Sequence, residues 1–78
     1  MIDKAFARVI RRLRLEKNLS QEKLAFEADL HRTYISQLER GLKSPSLQTV
    51  YKISKVLGIS LPELMLLVLK EMENVSAN

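Results

Sequence analysis

The stretch from Arg32 to Arg40 carries the densest chemistry in the chain. Wound at about 100° per residue, Arg32, Thr33, Ser36, Gln37 and Arg40 share one polar face of a helix, and Tyr34, Ile35 and Leu38 share the opposite, apolar face. These polar side chains are of the types that bond nucleic-acid base edges. Arg bonds guanine through two parallel N–H groups, Gln bonds adenine with a donor and an acceptor, and Thr offers thymine a hydroxyl and a methyl group. A face that is merely solvated is richer in Glu and Lys, as the preceding segment is with Glu22, Lys23 and Glu27.

A side-chain stripe of this kind needs a rigid mount. Residues 21–28 and 32–40 read as two short helices joined at Ala28-Asp29-Leu30, which is the spacing of a helix-turn-helix. Ala25 is small enough for a close crossing, and Leu24, Ala28, Leu30, Ile35 and Leu38 supply the inner faces. The turn wants a residue that tolerates positive φ, and Asp29 is acceptable there. Ser20 reads as the N-cap of the second helix and Gly41 as the left-handed end of the third.

Three further helices complete an all-α reading, favoured by a total of only four Gly and Pro residues. The first spans about residues 3–17, with Phe6, Val9, Ile10 and Leu13 on one face. Residues 42–45 are loop. Ser46 caps a fourth helix, 47–57, expected to bury Leu47, Val50, Ile53, Val56 and Leu57 and to end at Gly58. Ser60-Leu61-Pro62-Glu63 has the pattern of a capping box and opens a fifth helix over about residues 61–73, after which 74–78 are expected to fray.

Composition removes whole classes of function. With 78 residues the chain is one domain with a small core. The absence of cysteine excludes disulfides, thiolate metal sites and thiol catalysis, and a single histidine, His31, makes a structural metal site implausible. No Gly-rich phosphate loop and no paired catalytic carboxylates appear. Ser20-Gln21-Glu22-Lys23 formally matches a Ser-x-x-Lys nucleophile motif, but its companion motifs are missing and the chain is too small for that fold. The expectation is therefore a non-enzyme without cofactor, metal or evident small-molecule effector. The opening residues lack a signal-peptide core and the longest apolar run, Leu64 to Leu69, is far too short for a membrane span, so a cytoplasmic location is expected.

Charge is unevenly spread. Residues 1–55 hold 12 Lys and Arg against 6 Asp and Glu, whereas residues 56–78 hold 1 against 3. A basic body points to a polyanionic partner. The acidic end carries a helix that is apolar nearly all round. Leu64, Leu67 and Val68 face the core, leaving Met65, Leu66, Leu69 and Met72 on the other side to be covered. In so short a chain a second copy is the simplest cover, forming a two-fold interface.

Four fragments together resemble the Cro/C1-type (XRE) helix-turn-helix family of bacterial and phage regulators: residues 19–25 (LSQEKLA), residues 32–41 (RTYISQLERG), Pro45-Ser46-Leu47 and Leu57-Gly58-Ile59-Ser60. The Arg-Thr-Tyr opening of the third helix and the overall size are most similar to restriction–modification controller proteins. The resemblance covers about residues 6–70 and implies a five-helix, lambda-repressor-like DNA-binding domain. By position it implies that Arg32, Thr33, Gln37 and Ser36 read base edges, and that Ser20, Gln21, Tyr34, Arg40, Lys43 and Ser44 lie along the DNA backbone. Arg14 and Glu39 match a pair that ties the first helix to the third. The departure is Asp29, where glycine is commoner. The implied function is that of a homodimeric transcriptional regulator on inverted-repeat double-stranded operators. The competing expectation is an antitoxin or interaction module whose fifth helix binds a different protein.

Overall fold

The computed structural model describes residues 1–77, and among them every regular element is helical: α1 (Ile2–Glu16), α2 (Gln21–Glu27), α3 (Arg32–Glu39), α4 (Leu47–Leu57) and α5 (Leu61–Ala77). The serine caps form as their positions imply. The Ser20 hydroxyl accepts from the Lys23 N–H at 2.9 Å and the Ser46 hydroxyl from the Thr49 N–H at 3.1 Å. Ser60 accepts from the Glu63 N–H at 3.3 Å and donates to the Glu63 carboxylate at 2.9 Å. Each satisfies a helix N–H that has no partner within its own helix.

Among the described residues, two non-glycines adopt left-handed backbone, Asn18 at φ 57° and Asp29 at φ 56°, one at each end of α2. Both are short polar residues that tolerate this region better than most. Asp29→Gly is expected to be neutral to about 1 kcal/mol stabilising, because relief of backbone strain outweighs the added freedom of the unfolded chain. Asp29→Val should cost about 1–2 kcal/mol. Thermal melts of the two variants check both signs.

One core joins all five helices: Phe6, Val9 and Ile10 from α1, Leu24 and Ala25 from α2, Ile35 and Leu38 from α3, Val50, Ile53 and Leu57 from α4, and Leu64 and Val68 from α5. The first helix is its spine, with α3 and α5 packed against it; α2 packs on α3 and α4. Leu13, Val56 and Leu67 pack against this core only partly buried.

Two expectations fail here. Leu47 is not a core residue but 78% exposed, because it is the first residue of α4 and leaves the Pro45 loop on the solvent side; burial begins with Thr49 and Val50. The fifth helix does not stop near residue 73 but continues to Ala77. No glycine or proline interrupts residues 74–77, so nothing local ends the helix. Asn78, also expected to fray, lies outside the described residues.

Candidate nucleic-acid interface

The polar face of α3 is held in place by an ionic clasp at its C-terminal end. Arg14 Nε donates to Glu39 Oε2 at 2.6 Å and Arg14 Nη2 to Glu39 Oε1 at 3.0 Å, a two-point pairing of guanidinium and carboxylate. Arg14 Nη1 donates to the Leu19 carbonyl at 2.6 Å, and Gln21 Nε2 adds a third donor to Glu39 at 3.1 Å. The paired side chains are only 8% and 2% exposed. Arg14 of α1 and Gln21 of α2 thus converge on the buried carboxylate of α3, Arg14 also ties in the carbonyl of the α1–α2 joint, and no described buried side-chain N or O lacks a partner.

Above this clasp the first turns of α2 and α3 form a shallow open groove lined by Gln21, Arg32, Thr33 and Ser36. Arg32 and Thr33 are exposed; Ser36 and Gln37 are half-buried on the same helix. The structure therefore brings Gln21 beside three of the four candidate base readers, with Gln37 one turn along from Thr33. Tyr34 leans inward against the core. His31 occupies the N-cap position of α3 without a side-chain capping bond, which leaves the N–H groups of that helix start open to a partner.

The candidate backbone contacts are more varied. Arg40 is exposed, and its Nε donates to the Ser36 carbonyl at 3.3 Å. Lys43 is exposed in the loop after α3. Ser44 donates to the Asp3 carboxylate, so its hydroxyl is directed towards the N-terminus of α1. The Ser20 hydroxyl is committed to its helix cap. Among the described residues there is no cluster of three His, Cys, Asp or Glu side chains able to hold a metal, and no helix long and apolar enough to cross a membrane.

On the far side, Leu66 and Leu69 of α5 are 55% and 56% exposed, while Met65 and Met72 are half-buried against the core. Sequence reasoning missed two further exposed apolar residues, of which Ile2 adjoins this surface at Met65. Ile2 is 52% exposed at the start of α1, where it lines a groove with Val50 and Met65, and Leu47 lies one turn before Val50 on α4. The signal for Leu47 was its place directly after the Pro45-Ser46 cap, where an apolar residue has no preceding turn to cover it.

Residues 10–64 match the family model described as helix-turn-helix. The chain is 56% identical to the control protein C.BamHI of Bacillus amyloliquefaciens over 61 residues, covering 77% of this chain and 75% of that one. A solved structure of the restriction–modification controller protein C.Esp1396I, a tetramer in complex with its natural operator, is similar with a TM-score of 0.84 at 34% identity, covering 91% of this chain and 93% of the other. The clp gene regulator ClgR of Corynebacterium glutamicum aligns at a TM-score of 0.93 and 25% identity, over 99% of this chain and 82% of that one.

Proposed function

The chain belongs to the helix-turn-helix family, with relatives among restriction–modification control proteins, and from that premise we propose that it is a homodimeric regulator of transcription reading an inverted-repeat operator. The observation that carries this reading is the groove of Gln21, Arg32, Thr33 and Ser36, held rigid by the buried Arg14–Glu39 clasp. Such a mount presents α3 to the major groove with its N-terminal residues at the base edges. Arg32, Thr33, Ser36 and Gln37 choose sequence. Gln21, Arg40 and Lys43, with Tyr34, Ser44 and the Ser20 region, set position on the phosphate backbone.

Dimerisation through α5 places two reading helices about 34 Å apart, one turn of duplex, so the half-site centres lie one turn apart. Met65, Leu66, Leu69 and Met72 form the seam, with Ile2 and Leu47 at its margin. The protein works by binding alone in the cytoplasm, without a catalytic step or cofactor. C.Esp1396I, bound to its operator as a tetramer, is the precedent that favours DNA over a protein partner for this fold.

The test is selection from random-sequence duplex at near-physiological salt. A two-fold-symmetric motif supports the reading; salt-sensitive, sequence-blind binding refutes it. On the selected site, Arg32→Ala is expected to cost about 1–3 kcal/mol and to relax preference at one base position. Lys43→Ala should weaken all sequences alike and reduce the slope of log affinity against log salt by about 1. Titration of both variants on the selected site and on a scrambled duplex separates the two roles.

A further inference from the structure

Four arginines crowd seven residues of α1: Arg8, Arg11, Arg12 and Arg14. Three have acidic partners. Arg14 holds Glu39, while Arg8 and Arg12 both reach Glu71 of α5, at 3.7 Å and 3.2 Å. Glu71 is itself nearly buried, so those two guanidiniums serve the α1–α5 contact. Arg11 is exposed and, among the described residues, has no carboxylate partner.

Its position makes that vacancy informative. Arg11 lies one turn before Arg14, about 60° round the helix, and so borders the clasp. A concavity lined by Arg8, Arg11, Arg12, Leu15 and Glu16 of α1 ends at Glu39. Glu39 also binds Gln21, which lines the groove of the reading helix. The basic concavity of α1 and the groove of the proposed DNA face are therefore neighbours, the first bounded by Glu39 and the second by the Gln21 that bonds it. The charge of Glu39 is already neutralised by Arg14, and Glu16, which lines the same concavity, makes no ion pair with Arg11. An anion reaching this edge meets a solvated guanidinium with all its donors unspent.

From this we propose that Arg11 binds a phosphodiester group of the DNA backbone, extending the footprint beyond the helix-turn-helix onto α1. The inference rests on the DNA-binding reading. A guanidinium at that edge adds one released counterion and no base preference.

The experiment compares wild type, Arg11→Gln, Arg11→Lys and the charge-matched control Lys70→Gln on α5, by fluorescence anisotropy on the selected site and on scrambled duplex from 50 to 300 mM salt. Arg11→Gln should make the salt slope shallower by about 1. It should also lower affinity several-fold and equally on both duplexes, while Arg11→Lys keeps the wild-type slope and Lys70→Gln leaves it unchanged. An unchanged slope for Arg11→Gln overturns the inference, as does an equal change in Lys70→Gln, which would mark a general charge effect. Wild-type protein that binds neither duplex overturns the regulator reading along with it, so the two failures are told apart. Thermal melts confirm that the exposed position leaves the fold intact.

Discussion

Replacing Arg14 with methionine is expected to lower the thermal midpoint by roughly 15–30 °C, a loss of about 3–5 kcal/mol in a domain of this size. The change strands the Glu39 carboxylate, 2% exposed, with Gln21 as its remaining side-chain donor, and it also takes the donor from the Leu19 carbonyl. Stability of small domains is about 5–15 kcal/mol in total, so much of the fold's margin goes with one side chain. The double variant Arg14→Met, Glu39→Met should recover most of the loss, because two apolar groups of similar volume fill the site without a buried charge. It should nevertheless bind operator poorly, since Gln21 and the end of α3 lose their common anchor. Urea melts and operator titrations of the single and double variants check this. A single-variant loss below about 1 kcal/mol would show that water reaches Glu39.

The second large effect is expected from the double substitution Leu66→Glu, Leu69→Glu. Both side chains are more than half exposed in the monomer, so the fold should survive, with unchanged helical content at 25 °C. Placed in a two-fold seam, the four glutamates of a dimer face one another across a surface that excludes water, and the seam should not form. Operator affinity should then fall on the order of 10²–10⁴, the loss that follows when two linked half-site contacts become independent. Sedimentation equilibrium reads the first consequence and operator titration the second. A variant that still sediments as a dimer would remove α5 from the interface.

Most of the architecture was legible because its signals are local. Ser20, Ser46, Gly41 and Gly58 punctuate the chain, and the α4 boundaries agree with those expected to the residue. What was not legible depends on partners distant in sequence. Glu71 looked like an ordinary charge on an apolar helix; that it is buried under Arg8 and Arg12 depends on contacts spanning some sixty residues. Leu47 fits the apolar rhythm of α4, and only the direction in which the Pro45 loop delivers the chain turns it outward. The proposed reading face was legible in its residue types, since Arg32, Thr33, Ser36 and Gln37 lie on one helix. The proximity of Gln21 and its bond to Glu39 required the crossing of α2 over α3. The bond from Ser44 to Asp3 joins a loop to the far end of the chain's first turn, and no periodicity announces it.

Among the described residues, α1 packs extensively against both α3 and α5, while α3 rests equally on α2 and α5 has α4 as a lesser neighbour. On the proposed reading, the outward faces of α3 and α5 can drift separately, one changing which DNA is read and the other changing which copy is accepted. Two descendants of this chain that differed only along α5 would keep the same operator yet refuse to pair with each other. Two that differed only along the outer face of α3 would form mixed dimers that match neither parent's site. If α5 is the pairing face, divergence there would insulate duplicated copies from each other without changing the site they read, and a substitution in α1 would perturb both properties at once.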